Sequence, residues 1–369
     1  MVGMISIAKP IIEEEEINAV NEVLLSGGLA QGPKVAELEA AFAEYCGTKY
    51  AVAVNSGTAA LHVALHAAGV TQGDEVITVP FSFIATINPI LMVGATPVLV
   101  DIDPDTFTID VNKIEAAITP NTKAIIPVHL YGQPVNMERI NEIAQKHNLR
   151  VIEDACQAIG ADYQGKKTGG LGNAGCFSLY ATKNIMSGEG GMVTTNDEQY
   201  VTAMRSFRQH GMSAPYMYDE LGYNYRLTDL QAVIANEQLK KADRFSTARR
   251  HNAELLSEGL SGIPGLIVPV IESDRTHVFH QYTIRITSEF PLSRDEFVEA
   301  LHNKEIGAGV YYPKPLHAYP HIAKLGYKIG DFPESEKAAS EVVALPVHPM
   351  VTDADVQTII TAIKEIAHV

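Results

Sequence analysis

This sequence predicts an α/β fold: a large domain with a mainly parallel, seven-stranded sheet between helices, followed by a smaller C-terminal α+β domain. Three observations carry that expectation. Between about residues 50 and 155, short β-rich apolar runs alternate with helical patterns, as right-handed βαβ crossovers and a sheet covered on both faces require. Two further strand-like runs follow near residues 175 and 191. Finally, a helical stretch of some thirty residues hands over to a mixed pattern. With 369 residues, 46% of them hydrophobic, the chain has material for roughly two cores. We place the large domain at 1–245, N-terminal segment included, and the small one at 246–369.

In chain order, the strands of the large domain are expected at 50–54, 75–79, 97–101, 123–128, 150–154, 175–180 and 191–195, all but the aromatic-rich 175–180 carrying Val, Ile, Ala or Thr. A helix at 59–68 follows the first strand, and another at 198–209 follows the last. The stretch 227–260, rich in Ala, Gln, Glu and Lys, reads as one long helix joining the domains. Strands at 266–268 and 278–286 and helices at 293–303 and 353–367 complete the small domain.

Bulk properties exclude several function classes. A formal net charge of −16 disfavours nucleic acid and anionic membrane, both of which bind basic surface. No apolar run approaches the roughly 20 residues of a spanning helix, and Met1-Val-Gly-Met-Ile-Ser lacks the order of a signal peptide, so a cytoplasmic enzyme is expected. Three cysteines, Cys46, Cys156 and Cys176, have no metal-ligand spacing and read as buried free thiols. There is no H-E-x-x-H, and His277 and His280, placed in an expected strand, would point to opposite faces. No metal is expected.

The chemistry gathers around Lys183. It lies between the apolar run Phe177-Ser-Leu-Tyr-Ala-Thr and the glycine cluster Gly188-Glu-Gly-Gly191, a setting suited to a lysine that forms an imine with a carbonyl cofactor. Pyridoxal 5'-phosphate is the cofactor this suggests. Asp154 ends a strand, where it could pair with a pyridinium nitrogen; by itself it could also cap a helix or bind a metal. Asn55-Ser56-Gly57-Thr58 joins a strand to a helix, which suits phosphate binding at a helix N-terminus, or a simple cap by Ser56 or Thr58. Phe81 and Phe83 are candidates to lie on the cofactor ring, or two core aromatics. His129 ends another strand and either lines the pocket or is structural. Gly170-Leu-Gly-Asn-Ala-Gly175 matches G-x-G-x-x-G, but it leads into a strand where a dinucleotide fingerprint must open a helix.

Together these segments resemble the sugar-nucleotide aminotransferases of the DegT type, on fold type I of the aspartate aminotransferase superfamily. The resemblance runs nearly end to end: Lys9-Pro10, Ser26-Gly-Gly, Gln31-Gly-Pro33, Asn55-Ser-Gly-Thr-Ala-Ala-Leu61, Gly94-Ala-Thr-Pro-Val98, His129-Leu-Tyr-Gly132, Glu153-Asp-Ala-Cys-Gln157, the Lys183 segment, Gly222-Tyr-Asn-Tyr-Arg226 and Leu345-Pro346. It implies that Lys183 forms the imine with the cofactor and Asp154 holds the pyridine nitrogen. It further implies that Gln157 lies near the ring hydroxyl and that Phe83 stacks on the ring. Ser56, Gly57, Thr58 and Ser178 hold the phosphate, joined by Asn224 from the second subunit of a homodimer with shared active sites. Arg226, Tyr312, His317 and His129 are the candidate substrate contacts, with Arg226 serving the donor carboxylate or dimer contacts. Ile159 and Tyr311 depart from the pattern, since many relatives carry histidine at both, and both bear on the sugar pocket rather than on the core chemistry.

The implied activity is a ping-pong transamination from glutamate to a nucleotide-linked keto sugar, in amino-sugar biosynthesis. Ala8-Lys-Pro-Ile-Ile-Glu resembles relatives acting on carbon four of a 4-keto-6-deoxy sugar. Dehydratases resembling the family carry histidine at the lysine position, so Lys183 separates the two chemistries. A keto-cyclitol aminotransferase and a cofactor-binding regulator without turnover are the alternatives.

Overall fold

In the structure, a computed structural model describing residues 4–368, the large sheet is built from β1 (Tyr50–Val54), β2 (Glu75–Thr78), β3 (Thr96–Leu99), β4 (Thr122–Ile125) and β5 (Arg150–Asp154). A hairpin of β6 (Asp162–Tyr163) and β7 (Lys166–Lys167) leads on to β8 (Ala174–Ser178) and β9 (Gly191–Thr195). The seven strands of the sheet lie in the order β1-β9-β8-β5-β4-β2-β3. From β8 to β3 every pairing is parallel, while β9 runs antiparallel to both neighbours. The carboxyl ends of β1, β2, β5 and β8 therefore share one edge, where ligands collect in such sheets. Residues 1–3, inspected above for a leader, lie outside the described residues.

Helices cover both faces, as nearly continuous strand burial demands. On one side α2 (Pro33–Cys46) packs Leu38 and Phe42 against Phe177 of β8; on the other α3 (Gly57–Ala67) buries Leu61 and Leu65 with Val52 and Val193. α1 (Glu14–Ser26), α4 (Asn88–Met92), α5 (Met137–His147) and α6 (Glu198–Phe207) complete the layers. β10 (Met212–Ala214) and β11 (Met217–Tyr218) form a hairpin whose Tyr216, Met217 and Tyr218 are exposed.

The single long helix expected at 227–260 is two: α7 (Asp229–Lys240) and α8 (Ala242–Leu260). Tertiary pairing overrides helix propensity at the junction. Lys241 leaves helical geometry at φ −100° and ψ −3°, and its ammonium reaches Glu13 and Glu16 of the N-terminal segment at 2.8 Å each. α8 then carries Phe245 into the core of the large sheet and Leu256 and Leu260 into that of a second, three-stranded sheet. That antiparallel sheet comprises β12 (Leu266–Ile267), β13 (Tyr282–Ile286) and β14 (Val342–Leu345). α9 (Arg294–Asn303) and α12 (Asp353–Ala367) pack on it; the short α10 (Pro320–Ala323) and α11 (Pro333–Glu341) lie between. Ile5, from the segment placed with the large domain, pairs instead with Glu305 and Gly307 beside this sheet.

The strand expected at 278–286 begins only at Tyr282. Phe279 takes a positive φ of 43°, and the buried Arg249 guanidinium donates to the carbonyls of Phe279 and His280 in place of a strand partner. The argument that His277 and His280 face opposite sides of a strand thus fails. His277 stacks on Phe279, with ring centroids 3.9 Å apart, and His280 turns toward the edge where β1, β5 and β8 end.

Candidate active site

A cavity of about 470 Å³ opens at that edge. Ser56, Gly57, Thr58, Phe83, Asp154, Gln157, Ser178, Lys183 and Tyr312 all line it, residues that the sequence scatters over more than two-thirds of its length.

Its floor is the start of α3. Ser56 caps the helix, its Oγ accepting from the Ala59 N–H at 3.1 Å. The N–H groups of Gly57 and Thr58 have no acceptor among the described residues, so two free donors and the positive end of the helix face the cavity. The cap and the free donors thus coexist here. Gly57 has no room for a side chain, because a Cβ would lie 2.9 Å from Ser178 Cβ and 3.1 Å from Cys156 Sγ. Gly57→Ala is therefore expected to push the helix start off its neighbours, an overpacking of about 1–3 kcal/mol. Cofactor titrated into the apoprotein should bind about tenfold more weakly or worse; unchanged affinity would show that the close approach is not needed.

Opposite lies Asp154, buried at the end of β5. Thr86 Oγ1 donates to its Oδ2 at 2.7 Å and the Cys156 N–H approaches Oδ1 at 3.3 Å, while Ser82 Oγ lies 2.8 Å from Thr86 Oγ1. Gln157 is held from both ends: its Oε1 accepts from the Tyr131 N–H at 2.9 Å and its Nε2 donates to Tyr312 Oη at 3.1 Å. Burial pushes the Tyr312 hydroxyl up, so it stays protonated. Phe83 is 54% exposed although large and apolar, and it lies 6.1 Å from Tyr312 at an angle of 32°; Phe81 is fully buried in the core. An apolar ring left bare in a cavity is an unfilled stacking surface.

Lys183 follows β8 in a tight turn, its N–H bonded to the Tyr180 carbonyl at 2.9 Å. Among the described residues, no carboxylate lies within ion-pair distance of its amine. Burial lowers its pKa, against the pull of Cys156 and Asp154, so the neutral amine, the form that attacks a carbonyl, is more accessible than for a surface lysine.

Three candidate substrate contacts lie elsewhere. His129 is fully buried and does not line the cavity: its Nε2 meets Glu153 Oε2 at 3.1 Å, and its Nδ1 accepts from the Val135 N–H at 3.2 Å. Glu153 also collects the N–H groups of Gly169, Leu171 and Gly172 at 2.8 Å each, so the glycine-rich turn wraps an internal carboxylate. His317 is likewise buried, bonded to Glu336 at 3.0 Å. Arg226 lines a separate groove beside the β10–β11 hairpin, and Asn224 is exposed, outside this chain's own cavity. Conversely, Ser82, Thr86, Tyr180, Glu189, His280 and Gln281 line the cavity and had no assigned role there, and Tyr311, read as bearing on the sugar pocket, lines it too. Cys156, expected to be buried, also reaches it.

Compared with known proteins, residues 10–364 match the DegT/DnrJ/EryC1/StrS aminotransferase family. The chain belongs to that family. Among its relatives, the GDP-perosamine synthase of Caulobacter vibrioides is 40% identical over 366 residues, 98% of each chain. The UDP-N-acetyl-3-dehydro-alpha-D-glucosamine 3-aminotransferase of Acidithiobacillus ferrooxidans is also 40% identical, over 97% of this chain and 95% of its own. The crystal structure of DesV from S. venezuelae in complex with a ketimine intermediate superposes with a TM-score of 0.93 at 37% identity, covering 96% of this chain and 95% of that one.

This DegT-family aminotransferase is a pyridoxal-phosphate enzyme, and its cavity fits the cofactor. The free N–H groups on α3 suit a phosphate, Phe83 offers a bare face to a ring, and Asp154 and Lys183 line the same cavity. Among the described residues, no helix is long and apolar enough to cross a membrane.

Proposed function

We propose that this aminotransferase moves an amino group from glutamate to a nucleotide-linked keto sugar, a 4-keto-6-deoxy sugar in our reading, for amino-sugar biosynthesis in the cytoplasm. One observation carries the chemical part: Lys183, Asp154 and the open start of α3 line a single cavity. The nucleotide-sugar part is supported by the names of the two relatives above, one GDP-linked and one UDP-linked. They are equally similar to this chain, so the choice of carbon four rests on the N-terminal sequence.

Pyridoxal phosphate, when bound, supplies a carbonyl for the imine and an electron sink that lets a C–H bond beside nitrogen ionise. The chain supplies the rest. Gly57, Thr58 and Ser178, with Ser56 shaping the turn, would hold the phosphate, and Phe83 and Gln157 would fix the ring's face and edge. Asp154, itself fixed by Thr86, would hold a proton at the pyridine nitrogen. The Lys183 amine would take the proton from the donor's α-carbon and, in the second stage, deliver a proton to the sugar carbon that becomes the amine carbon. Glutamate leaves as an oxo acid, and the keto sugar as an amino sugar.

We further propose a homodimer in which Asn224 completes the partner's phosphate site. Its exposed position, beside the exposed apolar Tyr216, Met217, Tyr218 and Leu221, supports that reading. Mixing Lys183→Ala with Asn224→Ala subunits is expected to restore activity that neither has alone, because a mixed dimer holds one site with both residues intact. Absence of rescue counts against Asn224. We also propose a domain boundary near residue 245, where α8 passes from one core to the other. The substrate itself is tested by incubating the holoenzyme with glutamate and a panel of nucleotide-linked 3-keto and 4-keto sugars, with product read by mass. Turnover of a keto-cyclitol alone would overturn the sugar-nucleotide reading.

A further inference from the structure

His280 lines the cavity that holds Lys183, and one of its ring nitrogens has no protein partner. Asn184 decides which one. Asn184 Nδ2 donates to the Val278 carbonyl at 3.0 Å, so its amide oxygen is the atom facing His280 Nδ1 at 3.3 Å. The reverse amide orientation would set two oxygens against each other. Nδ1 therefore carries the proton, and in a neutral imidazole Nε2 is left as a bare acceptor.

The ring is neutral. Burial, with the Lys183 and Arg249 cations nearby, holds its pKa well below the ordinary value. Nε2 has no bond within the described residues, and it is not sealed away as the Nδ1 atom of His317 is, so it opens onto the cavity. The backbone leaves it little freedom to turn away: Arg249 Nη1 donates to the Phe279 and His280 carbonyls at 3.0 and 3.3 Å, and the Val278 N–H to the Gly132 carbonyl at 3.0 Å.

A fixed, uncharged acceptor suits only a ligand that brings a donor. The carboxylates of an amino acid present acceptors alone and its amino nitrogen is the reacting group, whereas a sugar keeps hydroxyls that can donate. Gln157 Oε1 already accepts from the Tyr131 N–H and Asp154 Oδ2 from Thr86, which leaves each a single lone pair, whereas the one acceptor site of Nε2 is open. We propose that His280 is a specificity-determining residue whose Nε2 accepts a hydrogen bond from a hydroxyl of the acceptor sugar. The proposal rests on the sugar-aminotransferase reading above. It separates the two stages: His280 serves the sugar stage and not the glutamate stage.

The test compares wild type, His280→Asn and His280→Gln with a UDP-linked 4-keto-6-deoxyhexose and its analogues lacking the 2- or the 3-hydroxyl. Asparagine keeps an amide near Nδ1 and Asn184 but removes the acceptor at Nε2; glutamine restores an amide oxygen near Nε2. For His280→Asn, kcat/KM for the parent sugar should fall about tenfold, chiefly through KM, the effect of one lost hydrogen bond. The single-turnover rate with glutamate should stay within about twofold of wild type. One deoxy analogue, poor with wild type, should be no poorer with the variant, and His280→Gln should recover part of the loss. A readout without turnover is the ¹⁵N resonance of His280 Nε2 in the apoprotein, which should move from a bare-acceptor position upfield when the sugar is added. Equal loss in both stages, the same deoxy penalties in variant and wild type, or an unmoved resonance would overturn the proposal. A wild type that aminates no keto sugar overturns the functional reading and this proposal together. Turnover of the sugar without the selective losses sinks the role of His280 alone.

Discussion

Lys183→Ala should abolish steady turnover and remove the site at which the cofactor can be fixed covalently. In wild-type holoenzyme, borohydride should reduce the imine and leave the cofactor's mass on the peptide that contains Lys183. In the variant that adduct should be absent, while cofactor still binds through α3 and Phe83. Turnover should fall by on the order of 10²–10⁴-fold or more, since one positioned acid–base group is worth about that much and here the same amine also anchors the imine. The adduct appearing on another lysine, or retained activity, would show the assignment to be wrong. The apoprotein gives an independent check. Because burial lowers the folded-state pKa of Lys183 while the unfolded chain keeps the ordinary value, the folded protein binds fewer protons between the two. The lysine therefore costs stability at neutral pH, and that cost lessens as pH rises from the folded pKa toward the ordinary one. Lys183→Met apoprotein should accordingly melt higher than wild type near pH 7, with the gap narrowing in alkaline buffer.

Asp154→Asn should be the next most damaging change. The isosteric amide fits the same space and keeps an oxygen for Thr86, whose hydroxyl now donates at 2.7 Å, so fold and cofactor binding should survive. In the proposed role, what is lost is the negative charge that would hold a proton at the pyridine nitrogen, and with it the stabilisation of charge developing on the ring. The loss of kcat expected for one preorganised partner of that kind is on the order of 10²–10³-fold, with KM for glutamate little changed. Single-turnover absorbance with glutamate measures the effect directly, since the slow step would lie within the first stage. A variant with wild-type rates would mean that the ring nitrogen needs no acid there. Thr86→Val should act in the same direction with a smaller effect, because it removes only the donor that orients the carboxylate.

Which parts of this arrangement can be read from sequence follows from the range of the interactions. The strands of the large sheet are written locally, in short apolar runs, and the strand ends that hold Asp154 and the Ser56 cap lie where those runs stop. Asn55-Ser56-Gly57-Thr58 announces both a cap and a phosphate cradle, because the same free N–H groups serve either use. Lys183 is legible because a lysine set between apolar and glycine-rich segments is unusual. Local reading misleads at Lys241, where helix-forming residues conceal a break made by Glu13 and Glu16, and at residues 277–281, where a strand-like pattern is diverted by Arg249.

By itself, then, the sequence determined the α/β fold, the pyridoxal-phosphate cofactor and the family, and it singled out Lys183 and Asp154 as candidates. Tertiary structure alone decided which side chains meet in the cavity. Thr86 reaches Asp154 across 68 residues of chain, Asn184 reaches His280 across 96, and Gln157 reaches Tyr312 across 155. It alone put His129 and His317 into buried pairs with glutamates rather than into the site. The physical reason is that secondary structure and end-capping follow from neighbours within a few residues, whereas burial and hydrogen-bond partnership depend on how separate elements pack.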